Sequence, residues 1–231
     1  GGAAVGALSA ILLGAGSVFL TNAAFAGALF SILLVFGIAN KFGQWSVTRL
    51  LLTGVVISAC WGAVINILLT TSSTNNVQSM LFWLMGDLSQ SQVHLGHCIL
   101  LAAGLAGGLI ISRSLNVLSR GELFAQGLGV NLSMLRITLY FSASVFTATA
   151  VTIAGSVGFV GLIIPHILRL LGARDHRILL PCSILLGGSF LVIADSLART
   201  LIAPQQLPVG VITAVIGVPS FIIILRSTIT K

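Results

Sequence analysis

The chain has 231 residues, of which 57% are hydrophobic and only 6% charged, and its mean hydropathy is +1.13. Eleven Lys and Arg against four Asp and Glu give a formal net charge of +7. An ordinary soluble domain carries about 25% charged residues, so these charges cannot clothe a water-soluble surface; the basic residues are dispersed singly, without a stripe of aromatics, which excludes nucleic acid as the partner.

Apolar runs fall at about 3–20, 22–38, 47–70, 92–112, 134–155, 157–171, 178–198 and 209–226. Most have the roughly 17 to 25 residues an α-helix needs to cross a hydrocarbon core. They are apolar on every face, whereas barrel strands would alternate, so the fold class expected is all-α, a polytopic transmembrane bundle of about eight spans forming a single domain over 1–231. No basic segment precedes the first run, so it does not read as a cleavable signal peptide. The chain opens Gly1-Gly2 inside a helix-like run, and an N-terminal portion is expected to be missing.

The third run carries Gly54, Ser58, Gly62 and Asn66 at successive i+4 positions, a small and polar stripe that permits close helix approach. Between Thr71 and Ser91 lies a connection without Lys or Arg that holds Met80, Leu81, Phe82, Trp83, Leu84 and Met85. It reads as an amphipathic or aromatic-anchored segment at the interface. His94 and His97 are too few ligands for a metal site. Cys60, Cys98 and Cys182 lie inside apolar runs and read as buried thiols.

The stretch Ser119-Arg-Gly-Glu-Leu-Phe-Ala-Gln-Gly-Leu-Gly129 places Ser119 and Glu122 at capping-box spacing and predicts a short helix outside any span. The sixth run is short and holds Gly158, Gly161 and Pro165. If it crosses, Lys41, Arg49, Arg113, Arg120, Arg136, Arg169, Arg174, Arg177, Arg226 and Lys231 share one side, leaving Arg199 alone opposite. The positive-inside rule then puts both chain ends at the cytoplasmic face. His166 reads as packing near Pro165, and Asp175-His176-Arg177 as a charged inner loop, either a solvated turn or a contact with a cytoplasmic partner.

The chain has no G-x-x-x-x-G-K-[ST] loop for a nucleotide. Asp195 is the only carboxylate inside an expected span, which is sparse for a proton- or sodium-coupled carrier. The energy for any transport is therefore expected from a partner, and the chain itself is expected to be no enzyme and to need no cofactor or resident metal.

Three motifs carry a family resemblance. Gly121-Glu122-x-x-Ala125-x-x-Leu128-Gly129, then Gly158-Phe-Val-Gly-Leu-Ile-Ile-Pro-His-Ile-Leu-Arg169 with Asp175-His-Arg177, then Ala194-Asp195-x-x-Ala198-Arg199 with Leu207-Pro-Val-Gly210 and Gly217-x-Pro219 follow in order. The chain resembles the FecCD-type permeases, membrane subunits of ATP-binding-cassette (ABC) importers for ferric siderophores, haem and vitamin B12. Such permeases have ten helices, and the eight runs are expected to match the third to the tenth of this type II permease fold.

The resemblance implies a permease in the bacterial inner membrane, dimeric with itself or a sister subunit. Two ABC ATPase subunits would bind below, and a periplasmic or lipid-anchored binding protein would dock above. Gly121, Glu122, Ala125, Leu128 and Gly129 would form the ATPase coupling surface. Arg199, supported by Asp195, would receive acidic residues of the binding protein, although the two are also spaced for a simple i,i+4 ion pair. Ser46, Val47 and Thr48 would narrow the pathway as a gate, lined by Gly54, Ser58, Gly62, Asn66, Gly210, Thr213 and Gly217. Cargo would be a metal chelate, iron siderophore or haem, or a corrinoid. An ion-coupled secondary transporter and a non-transporting truncated relic are the alternatives.

Overall fold

The computed structural model describes residues 1–40, 47–89, 91, 94–202 and 205–229, the side chains of 40, 47 and 223–229 aside. Among them every regular element is a helix: α1 (Gly2–Leu12), α2 (Ser17–Asn40), α3 (Val47–Thr71), α4 (Thr74–Met85), α5 (Leu95–Leu118), α6 (Glu122–Gly127), α7 (Leu132–Ala154), α8 (Val160–Leu170), α9 (His176–Thr200) and α10 (Val209–Ile229).

The expectation of eight spans, two helices short of the family's ten, is corrected by this count of ten helices among the described residues. α4 and α6 escaped the hydropathy reading because neither is a long apolar run. Five helices, α2, α3, α5, α7 and α9, are long and apolar enough to cross a membrane, while α1, α8 and the stretch Val209–Ile222 of α10 are shorter apolar helices. The 11 residues of α8 rise only ~16 Å.

The first apolar run does not continue to residue 20. α1 stops at Gly14, whose φ of 64° lies in the left-handed region. Gly14 N–H donates to the Ile11 carbonyl and Ala15 N–H to the Ala10 carbonyl. This paired reverse bonding satisfies the last carbonyls of a helix and needs a residue without Cβ at the turn. The same device ends α6 at Gly129 and α8 at Gly172.

The chain divides into two compact units, Gly1–Leu84 with Tyr140–Ser156, and Met85–Leu139 with Val157–Lys231. In the first unit Gly2 and Gly6 of α1 lie against the backbone of Gly27 and Ala23 on α2, so close that a Cβ at Gly2, Gly6 or Gly27 would strike a carbonyl. Two small-xxx-small pairs thus let the helix backbones touch, the packing that replaces hydrophobic drive where lipid is the solvent. Ala3, Ala28 and Ala148 form the buried cluster above them, with Phe25, Trp83 and Val151 packed around it. Trp83 is therefore a packing residue, and Met80 beside it on α4 is fully buried. The Trp61 indole N–H donates to Ser31 Oγ at 2.8 Å, and the Tyr140 hydroxyl to the Ile32 carbonyl at 3.1 Å, polar bonds that fix helix register in an apolar medium.

In the second unit α8 and α9 share a cluster of Ile164, Leu168 and Leu179, and α9 and α10 share Ala194, Ala198, Val209 and Ile212. Ile110, Leu185 and Val192 of this unit are exposed, as is Val55 of the first. Apolar area on this scale is covered by bilayer or by another chain.

Candidate functional site

The segment expected to couple to an ATPase is built by backbone conformation. Gly121 precedes α6 at φ 120° and Gly129 follows it at φ 80°, while a Cβ at either would meet nothing within 4 Å among the described residues. The two glycines are there to turn the chain, not because a neighbour crowds them. Val130 N–H donates to the Ala125 carbonyl and Gly129 N–H to the Gln126 carbonyl, and Asn131 Oδ1 then accepts Met134 N–H to start α7. Ala125 is fully buried, whereas Leu123, Phe124 and Leu128 are exposed by 86%, 51% and 60%. A six-residue helix thus roots one alanine and turns an apolar edge outward.

The capping box expected between Ser119 and Glu122 does not form. Ser119 Oγ donates to the Asn116 carbonyl at the end of α5, and α6 has Gly121 as its N-cap with no side-chain cap. Glu122 Oε1 instead meets Arg136 Nη2 at 2.5 Å. The pair spans one turn of α6, a tight corner and the first turns of α7, and fourteen residues of separation gave no periodic signal for it.

Asp175, read as part of a charged loop, is the N-cap of α9: its Oδ1 accepts Arg177 N–H at 2.9 Å and Asn116 Nδ2–H at 2.6 Å. These bonds stabilise the anion and hold the carboxyl below its ordinary value of 3.8, the Arg177 N–H contributing most. Asn116 Oδ1 also accepts His176 N–H at 2.9 Å. One amide thereby ties the end of α5 to the start of α9.

Arg199 Nε donates to Asp195 Oδ2 at 2.7 Å, the i,i+4 pair expected, in the last turns of α9. The Arg199 side chain remains 43% exposed. His97 Nδ1 accepts His94 N–H at 3.1 Å, giving these histidines a helix-capping arrangement at the start of α5. Ser46 lies outside the described residues, Val47 is the first residue of α3, and Thr48 is exposed. Further along α3, Ser58 and Asn66 are exposed, and a Cβ at Gly54 or Gly62 would meet nothing within 4 Å among the described residues. Among the described residues of its own unit, no neighbour lies against the two glycines of the stripe.

The α10 residues are placed differently. Thr213 is fully buried and donates to the Gly210 carbonyl at 3.1 Å. A Cβ at Gly217 would come within 2.6 Å of Phe159 Cβ. Phe159 itself has φ 67°, the one non-glycine among the described residues in the left-handed region. Its strain, about 1–3 kcal/mol for such a residue, was not visible in sequence.

An all-helical membrane chain of this kind is matched by known proteins. Residues 1–227 match the FecCD transport family, and the chain belongs to it. It is 45% identical over 228 residues to the cobalamin import system permease protein BtuC of Halobacterium salinarum, covering 97% of this chain and 61% of that protein. It is 38% identical over 229 residues to the vitamin B12 import system permease protein BtuC of Escherichia coli, covering 96% and 68%. With the hemin transport system permease protein HmuU of Yersinia pestis it shares 37% over 213 residues, covering 88% and 61%. The chain thus spans about three-fifths to two-thirds of the length of these curated relatives. Its fold superposes with a TM-score of 0.86, at 32% identity, on the solved structure of an inward-facing metal-chelate type ABC transporter, covering 98% of this chain and 73% of that one. The fold is therefore that of an ABC-importer permease.

Proposed function

We propose that this chain acts as one permease domain of an ABC importer that moves a metal chelate or a corrinoid into the cytoplasm, with ATP hydrolysed by partner subunits. The observation that carries the reading is α6. It is too short to span, is rooted by buried Ala125, and presents Leu123, Phe124 and Leu128 to the outside. An apolar edge of this size on a rigid corner suits insertion into a cleft of a soluble partner. Gly121, Glu122 and Gly129 give that edge its shape, and Leu123 and Phe124 join the coupling surface.

Topology supports the same assignment. The Asn116–Asp175 bond brings the Arg113–Arg120 end of α5 beside the Arg174–Arg177 segment. Basic residues on one face agree with a cytoplasmic side for α6 and for both ends of the chain. Asp195 is committed to Arg199 at 2.7 Å, which disfavours it as a proton-coupling carboxylate. The second permease subunit fits the small and polar α3 stripe, and a substrate-binding protein fits the Arg199 end of α9. Among cargoes the corrinoid is favoured, because two of the relatives described carry cobalamin or vitamin B12 in their names.

Co-purification in detergent tests the reading. The chain is expected to bring down the ATPase encoded beside it, and Leu123→Asp with Phe124→Asp is expected to abolish recovery while the protein still inserts. Undiminished recovery from that variant would remove α6 as the coupling surface.

A further inference from the structure

The geometry assigns Arg136 as a positioning residue: we propose that its bond to Glu122 locks α6 at a fixed angle to the start of α7, so that a push on α6 reaches α7 without being absorbed by the corner. Its consequence for transport rests on α6 being the coupling helix. The lock itself stands on the geometry alone.

Three other constraints act on the middle and end of α6 and the start of α7. The reverse bonds at Gly129 fix the end of α6, and the Asn131 cap fixes the start of α7. Buried Ala125 holds the middle of α6. None of them orients the first turn of α6, which enters through Gly121 at φ 120° with no side-chain cap, held by backbone bonds from Gly121 N–H to the Leu118 carbonyl and from Ala125 N–H to the Gly121 carbonyl. Glycine at that entry is the softest point of the segment. Glu122 is the residue immediately after it, and its carboxylate is held by a guanidinium rooted on α7.

The exposures fit a strut anchored on α7. The Arg136 side chain is 24% exposed and that of Glu122 60%. The arginine stem is thus largely enclosed while the carboxylate reaches back to it. Arginine suits the task because its guanidinium is planar, permanently charged and pre-organised, so little freedom is lost in holding a carboxylate. An exposed ion pair contributes little to global stability. What it can do is choose one orientation for a helix whose entry is otherwise held only by the backbone bonds of a glycine.

The test is charge reversal and its rescue in the full chain, reconstituted in nanodiscs with the ATPase that co-purifies with it. Arg136→Glu and Glu122→Arg should each speed amide exchange at residues 125–130 by about two- to fivefold and lower the ratio of stimulated to basal ATP hydrolysis. The double variant, Glu122→Arg with Arg136→Glu, should restore both. Arg136→Gln, neutral and similar in length, guards against misfolding and should behave like the reversals. Unchanged exchange in the single variants, or loss that the double variant does not restore, would overturn the lock. Faster exchange with an unaltered ATPase ratio would keep the lock and overturn the coupling role of α6 instead.

Discussion

Gly217 on α10 faces Phe159 at the entry to α8 so closely that a single added carbon would sit 2.6 Å from Phe159 Cβ and 3.1 Å from Ile163 Cδ1. The tight seat accounts for the tolerance of a phenylalanine at positive φ, since the packing gained holds a backbone that would otherwise relax. Gly217→Ala is expected to destabilise the protein by about 1–3 kcal/mol through overpacking. Thermal unfolding in nanodiscs measures it. Combined with Phe159→Gly, which removes the Cβ that the new carbon would strike, the loss should be clearly smaller than the sum of the two, because both act on one contact.

Two glycines of the α6 segment should respond in opposite ways. Gly129→Ala forces a Cβ onto a left-handed residue at φ 80° and should weaken the α6–α7 corner by about 1–2 kcal/mol. Gly127 lies within α6, with open space where a Cβ would go. Gly127→Ala should therefore leave the corner intact or steady it slightly, by up to about 1 kcal/mol. Amide exchange at 125–130 reads both. If Gly127→Ala nonetheless prevents ATPase recovery, its smallness serves the partner and not the fold.

The Asp175 carboxylate predicts an acid limb. Its pKa is lowered in the fold, first by Arg177 N–H and then by the Asn116 amide. A lowered pKa means that the stabilisation is present above the unfolded carboxylate value and disappears as pH falls through the folded one. The melting temperature should thus fall as pH drops below about 4. In Asp175→Asn that fall should be shallower, and Asn116→Ala should move it to higher pH. Coincident curves for the three proteins between pH 3 and 6 would mean that the cap does not couple to folding.

How much of this was legible in sequence depends on the range of the interaction. Continuous apolar runs located α3, α7 and α9 to within two residues at each end, as with α3, expected over 47–70 and found over Val47–Thr71, while α2 begins five residues before its run and α5 ends six residues after its own. Local chemistry that repeats at helical spacing was also legible, as with Asp195 and Arg199. The break at Gly14 was not, because Leu13-Gly-Ala-Gly16 keeps the hydropathy of a span while the backbone reverses direction. Ser119 and Glu122 matched a capping pattern, but Ser119 bonds back into α5 and Arg136 takes the carboxylate. Bonds between residues far apart in the chain, such as Asn116 to Asp175 and Trp61 to Ser31, leave no mark on one sequence.

The Arg199 end of α9 supplies the sharpest test of the proposed partner docking. Arg199 is bonded to Asp195 yet stays 43% exposed, so an incoming carboxylate would compete with Asp195 for the same guanidinium. The i,i+4 pair is worth only about 0.3–0.5 kcal/mol, small enough for a docking protein to displace. Arg199→Glu should slow association of the substrate-binding protein by roughly tenfold at low ionic strength, with the difference shrinking as salt screens exposed charges. Asp195→Asn removes the competitor while leaving the cation, and should bind at least as fast as wild type. A biosensor series across salt concentrations separates the two variants. If both weaken docking alike, the pair is maintaining the end of α9, and the surface that receives the binding protein lies elsewhere.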